Sequence, residues 1–174
     1  DVVVIGVGIK PNIELAISSG LKCDNGILVD DNGQTSDPHI FAVGDCSNHP
    51  NNIFKRRLRL ESVQNAVDQA KSIAASIIGN HKPYQEVPWF WSDQYNVKLQ
   101  IAGISKGHDH RVIRGSAEEE KFAIFYQKEK RIIAVDAINS PKEFMVGKKW
   151  ISKQAEIPFE LIRNMDVDLK KIRK

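Results

Sequence analysis

The 174 residues predict an incomplete α/β segment on a parallel sheet, followed by a small α+β domain on an antiparallel sheet. Three observations carry this prediction. Val2-Val3-Val4-Ile5-Gly6 is an unbroken β-branched run ended by glycine, the pattern of a strand buried on both faces, as in a Rossmann-like layer. Residues 61–78 repeat apolar side chains at helical spacing. From about residue 81 the texture changes to a proline-bearing linker and then to alternating strands, which places a domain boundary near residue 80 and gives segments 1–80 and 81–174.

In chain order, Pro11 and Asn12 open a short helix whose apolar stripe is Ile13, Ala16 and Ile17 and whose stop is Gly20. Asp24-Asn25-Gly26 and Asp30-Asp31-Asn32-Gly33 bracket a strand at Ile27-Leu28-Val29, because Asn-Gly supplies the positive φ of tight turns. A second buried strand is expected at 39–43, running into Gly44-Asp45. In the long helix, Val63, Ala66, Val67, Ala70, Ile73, Ala74, Ile77 and Ile78 form the apolar stripe and Gly79 the stop. Beyond the linker, Trp89-Phe90-Trp91 reads as a loop of aromatics. Val97, Leu99 and Ile101, then 111–115, then Phe122, Ile124 and Tyr126, then 131–139, alternate as antiparallel strands, with helices at 142–153 and near the end.

Composition narrows the class. Apolar residues at 41% and charged residues at 27% fit a globular chain. The longest apolar runs fall far short of the ~20 residues of a membrane span, so no membrane partner is expected. A net charge of +3 is too mild to argue nucleic-acid binding. Cys23 and Cys46 form no CxxC pair, which suggests neither a disulfide framework nor zinc and fits a reducing cytoplasm; Cys46 reads as a small buried residue. Asp1 enters an apolar run directly and the methionines are Met145 and Met165, so the chain reads as a fragment.

The residues with chemistry cluster around 35–65. A buried strand ending in Gly44-Asp45 puts a carboxylate at the carboxyl edge of a sheet, where open α/β folds bind ligands; on spacing alone a structural turn is an equal reading. Glycine admits close backbone approach, and the carboxylate accepts hydrogen bonds from sugar-like hydroxyls. The start of the 61–78 helix offers free N–H groups and a partial positive charge, although helix packing alone explains its apolar stripe. Gly6-Val7-Gly8-Ile9-Lys10-Pro11 approximates a dinucleotide fingerprint, with proline at its third position and no acidic residue in the expected strand setting. Lys55-Arg56-Arg57-Leu58-Arg59 is a basic cluster that is either a solvated face or a docking surface. His108-Asp109-His110 has no third ligand cluster and reads as a surface turn, so no metal is expected.

Thr35-Ser36-Asp37-Pro38-His39-Ile40-Phe41-Ala42-Val43-Gly44-Asp45 resembles the second FAD-binding motif of pyridine-nucleotide-dependent flavoprotein reductases. Arg59-Leu60-Glu61-Ser62-Val63-Gln64-Asn65-Ala66 and Pro88-Trp89-Phe90-Trp91-Ser92-Asp93-Gln94 are similar to two signatures of the FAD-dependent ferredoxin and rubredoxin reductases. Residues 1–12, Asp24-Asn25-Gly26 and Val135-Asp136 also align, so the resemblance covers nearly the whole chain in order. It implies a Rossmann-like FAD-domain segment, lacking the amino-terminal FAD and NAD segments, joined to a reductase C-terminal α+β domain. It implies FAD and NAD(P)H as cofactors and a 2Fe–2S ferredoxin or a rubredoxin as partner. Gly44 and Asp45 would hold the ribityl region, and Glu61, Ser62 and Val63 would form the helix terminus at the flavin's pyrimidine edge. Trp91 would face the flavin, Gly6 and Gly8 would approach the nicotinamide nucleotide by backbone, and Arg56, Arg57 and Arg59 would dock the acidic partner. No residue here takes a covalent catalytic role. The fragment alone is expected to be inactive; a different reading is a non-catalytic interaction module, as in apoptosis-inducing-factor-like relatives.

Overall fold

A computed structural model describes residues 1–81 and 83–172. The chain divides into two compact units, Asp1–Gln85 and Glu86–Lys174. The first contains a short helix α1 (Glu14–Ser18), strands β1 (Ile27–Leu28), β2 (Ser47–Asn51) and β3 (Arg56–Leu58), and the long helix α2 (Val63–Ile77). β1 pairs parallel with β2, and β2 antiparallel with β3. A single turn of 3-10 helix, Gly44–Cys46, leads directly into β2.

Three expectations for this unit are corrected. Val2 to Ile5 form no strand: their side chains are 77–91% exposed, and no described strand pairs with them. A doubly buried strand is defined by its neighbours, and an apolar run without them stays extended. Residues 39–43 do not form a strand either; Phe41 makes one isolated bridge to Gln34, and the strand falls just beyond, at Ser47–Asn51. Asp37 breaks the segment, since its carboxylate accepts from the His39 amide at 2.8 Å and its carbonyl from the Ile40 amide. Finally, α2 buries Asn65, Gln69, Ile73 and Ser76, while Val63, Val67, Ile77 and Ile78 of the expected core stripe are exposed. Polar partners on the adjacent loops select the polar face.

Ile73 is the apolar anchor of that buried face. It packs on the turn that closes at Gly33, where φ is +76° and a Cβ would fall 1.9 Å from Ile73 Cδ1, so only glycine fits. The helix begins where the Ser62 side chain accepts from the Asn65 amide, an N-cap, and ends before Gly79 at φ +83°.

The second unit is a five-stranded antiparallel sheet of order β4-β5-β8-β7-β6, from β4 (Trp89–Gln94), β5 (Val97–Gly103), β6 (His110–Ser116), β7 (Lys121–Lys128) and β8 (Arg131–Ile138). Trp89-Phe90-Trp91 is therefore strand and not loop; it pairs in full register with Gln100 to Ala102 of β5. Helix α3 (Pro141–Ser152) lies on one face of the sheet, with Phe144, Trp150 and Ile151 buried alongside Ala123, Phe125, Val135 and Ala137. Helix α4 (Phe159–Arg163) and a 3-10 turn (Leu169–Lys171) complete the unit.

One arginine ties the terminal segment to the sheet. Arg114 of β6 is only 5% exposed, and its guanidinium donates to the carbonyls of Ile162 (2.9 Å), Asn164 (2.6 Å) and Val167 (3.0 Å). It also lies 3.5 Å from the Glu143 carboxylate of α3. A planar fork with five donors can join strand, helix and tail at once, which a lysine cannot. Arg114→Ala is expected to destabilise this unit by roughly 3–5 kcal/mol, with Arg114→Lys recovering less than half. All three tryptophans belong to this unit, so denaturant unfolding followed by tryptophan fluorescence measures the loss directly.

Candidate functional site

In the first unit the 3-10 turn Gly44–Cys46 and the start of α2 come together. Gly44 is buried at φ +73°, and a Cβ there would sit 3.4 Å from the Ala66 Cβ in the first turn of the helix. It is the left-handed backbone of the turn, more than space beside the helix, that calls for glycine here. Asp45 follows with its side chain exposed, and its carboxylate makes no hydrogen bond among the described residues. The Ser62 cap satisfies the Asn65 amide at 3.2 Å, and the Ala66 amide bonds to the Ser62 carbonyl. The N–H groups of Val63 and Gln64 stand outside the helical ladder at its positive end, with Val63 65% exposed.

Arg59 links several of the predicted residues. Its Nη1 pairs with the Glu61 carboxylate at 2.7 Å and donates to the Asp45 carbonyl at 3.1 Å, while Nε donates to Asn25 Oδ1 at 3.1 Å. Arg57 is likewise turned to internal work, its guanidinium bonding to the Val29 and Asn48 carbonyls and to Asn48 Oδ1. Of the basic cluster, the Lys55 and Arg56 side chains make no hydrogen bond or ion pair among the described residues. Cys46 is half-buried instead of buried, its Sγ 3.4 Å from the Val43 carbonyl.

Beneath the turn lies a polar core that the sequence reading missed. The Gln69 amide bridges Gly44 N–H (2.7 Å), Ser47 Oγ (2.8 Å) and His49 Nδ1 (2.8 Å), all three residues being buried. Tyr84 meets the His49 ring edge-on at 5.2 Å and bonds through its hydroxyl to Asn65 at 3.1 Å. The available signal was Asn65, Gln69, Ser72 and Ser76, polar residues at i, i+4, i+7 and i+11.

Gly6 and Gly8 are not brought to this region. Both are exposed, and neither would place a Cβ within 4 Å of another residue's atoms. Trp91 belongs to the second unit, where it is 40% exposed and leans on Trp89 at 5.6 Å; Trp89 in turn lies 5.6 Å from Phe144 and under Lys148 Nζ. Anchored from behind, Trp91 presents an open ring. Trp89 Nε1 is buried without a partner among the described residues. Asp136, on the sheet's other face, accepts from Tyr126 OH at 2.7 Å; burial raises the Asp136 carboxyl and pushes Tyr126 up to about 12. Among the described residues no group of three or more His, Cys, Asp or Glu could hold a metal, and no helix is long and apolar enough to cross a membrane.

The first unit thus places the Gly44–Cys46 turn beside the exposed amide end of α2, and the second is an antiparallel α+β unit. Residues 1–70 match the pyridine nucleotide-disulphide oxidoreductase family model, and residues 89–173 the reductase C-terminal model. Over nearly its whole length the chain is similar to ferredoxin reductases of that family. It is 42% identical over 172 residues to putidaredoxin reductase CamA of Pseudomonas putida, covering 99% of this chain and 41% of that one. It is 45% identical over 170 residues to rhodocoxin reductase of Rhodococcus erythropolis, covering 98% and 40%. The crystal structure of a covalent putidaredoxin reductase–putidaredoxin complex matches with a TM-score of 0.91 at 42% identity, over 95% of this chain and 40% of that one. The chain thus spans about two-fifths of these relatives.

His49 makes the polar core sensitive to acid. Burial, with Arg57 nearby, pushes its pKa down from 6.5 to about 4. Between these values an unfolded chain takes up a proton that the folded one refuses, so stability falls as pH drops through this window. At pH 5 the loss is about 2 kcal/mol relative to neutral pH. Urea midpoints at pH 7.5 and 5.0, compared with those of His49→Gln, are expected to show this difference in the native sequence and its absence in the variant.

Proposed function

We propose that the protein carrying this chain is an NAD(P)H-dependent flavoprotein reductase that passes electrons from NADH through FAD to a 2Fe–2S ferredoxin or a rubredoxin. The observation that supports it most is the uncommitted Asp45 carboxylate held beside the uncommitted Val63 and Gln64 amides. An acceptor for hydroxyls next to donors for an anionic edge is the pairing that a flavin's ribityl chain and pyrimidine ring require. Gly44 takes a φ of +73°, a backbone that residues with side chains rarely adopt, so the turn carrying Asp45 depends on glycine, and the acceptor and donors beside it fit the cofactor.

FAD, when bound, supplies hydride acceptance and single-electron release. The chain's own residues bind, orient and shield. Asp45 accepts from the ribityl hydroxyls, and the Val63 and Gln64 amides stabilise negative charge at the pyrimidine edge. Ser62 holds the helix start, and Arg59 neutralises Glu61 so that this carboxylate does not oppose the anionic edge. Trp91, in the second unit, carries an exposed flat apolar ring. Gly6 and Gly8 contribute backbone alone toward the nicotinamide nucleotide. For the acidic partner, Lys55 and Arg56 are the free charges, because Arg57 and Arg59 are engaged within the chain; steering of this kind acts mainly on association rate.

In the full-length protein Asp45→Ala is expected to weaken FAD binding roughly tenfold, read by quenching of flavin fluorescence. Unchanged affinity would remove Asp45 from the site. The 174 residues alone, mixed with FAD and desalted, are expected to show little flavin absorption; a retained band bleached by NADH contradicts that expectation.

A further inference from the structure

Both polar atoms of the Gln69 side chain are committed, and their roles are fixed by stereochemistry. A backbone N–H can only donate, so the atom 2.7 Å from Gly44 N is the carbonyl Oε1. Nε2 is then a donor, and His49 Nδ1, 2.8 Å away, must accept. The His49 proton therefore sits on Nε2, which has no partner among the described residues. Ser47 Oγ completes the cluster, 2.8 Å from Gln69 Oε1 and 2.9 Å from the Gly44 carbonyl.

This cluster joins the two halves of the proposed flavin contact. Gln69 stands on α2, the helix whose first amides face outward, and it grips Gly44, the residue before Asp45. His49 stands on β2, which continues from that same turn. An apolar side chain of similar volume would fill the space yet leave the Gly44 N–H unsatisfied and give the turn no preferred direction. The groups facing His49 are Gln69 from α2, Tyr84 from the segment after α2, and Arg57 from β3. A charged imidazole would set an N–H against the Gln69 NH2 group, so the brace requires the neutral ring.

We infer that Gln69 is a positioning residue for the flavin: it touches no cofactor, but it sets the distance and direction of the Asp45 turn relative to the amide end of α2, with neutral His49 as its brace. The inference rests on the reading that Asp45 and the α2 terminus hold FAD.

The test is a double-mutant cycle on the full-length apoprotein, titrated with FAD by flavin fluorescence, with the melting temperature of each apoprotein measured by circular dichroism. Gln69→Met is expected to weaken FAD binding roughly tenfold at temperatures where the apoprotein is folded. Gln69→Glu, which still accepts from Gly44 and Ser47 and accepts from His49 once the neutral ring carries its proton on Nδ1 in place of the unpartnered Nε2, is expected to stay within about threefold of the native protein. Combining Gln69→Met with Asp45→Ala is expected to cost clearly less than the product of the two single effects, because the group being positioned is then gone. The inference is overturned if Gln69→Met lowers the melting temperature yet leaves FAD affinity within about twofold while Asp45→Ala weakens it, or if the two effects multiply in full. Should Gln69→Met not fold, Gln69→Asn takes its place in the cycle with the same outcomes, since one methylene fewer withdraws the carbonyl from Gly44. An Asp45→Ala protein with native FAD affinity overturns the flavin reading itself, and this inference with it.

Discussion

The side-chain amide of Gln69 is the contact on which the first unit depends. Its three bonds gather a turn, a strand and a helix that share few apolar residues, and each is made below the surface where water cannot substitute. Tyr84 and Asn65 extend the same network by one further step. Such a network contributes only about 1 kcal/mol per bond in net stability, but losing one partner leaves a buried donor or acceptor at a larger cost. The unit is thus held by directional groups that tolerate little substitution. The exposed chemistry of Asp45 and the α2 terminus is a consequence of what lies beneath it.

The second unit uses different physics. Its sheet is built largely from hairpins and its core is apolar, with Ala123, Phe125, Val135 and Ala137 buried beneath α3. Polar anchoring is concentrated in one side chain, Arg114, which fastens the tail that the sheet alone could not hold. The aromatic series from Phe144 through Trp89 to Trp91 then carries that rigidity outward to an exposed ring.

What the sequence disclosed follows the same division. The strands at 97–103, 121–128 and 131–138 were legible because hairpin pairing is local and period-two alternation marks a strand, but the face was not, since Ala102, Ala123 and Phe125 are buried between the alternating Ile101, Phe122 and Ile124. The α2 boundaries were legible to within two residues because the helical repeat begins at Val63 and Gly79 is a chemical stop signal; the Ser62 cap emerges from the structure. The face that α2 buries was not, since an apolar stripe states what a helix can bury and the partners present decide what it does bury. The same holds for Val2 to Ile5, whose pattern describes an environment that the described residues do not provide. Among the candidate residues, the Gly44-Asp45 turn was suggested by the residues themselves, whereas Ser62 and Val63 were reached only through the family resemblance. Gln69 and His49 were not, being a glutamine inside a helix and a histidine on a short strand, with their meaning fixed only by contact.

Among the described residues α2 buries a polar row, Asn65, Gln69 and Ser76 with Ile73, and leaves Val63, Val67, Ile77 and Ile78 exposed. Apolar contacts are proportional to area and nearly indifferent to rotation, whereas an amide that must accept from one N–H and donate to one imidazole nitrogen fixes the helix about its own axis. A helix placed by its polar face points its terminal amides in one direction, which a helix held by an oily stripe would do only loosely. That is the property a terminus needs if it is to stabilise charge at a defined atom, because electrostatic stabilisation depends on donors already aimed before the charge appears.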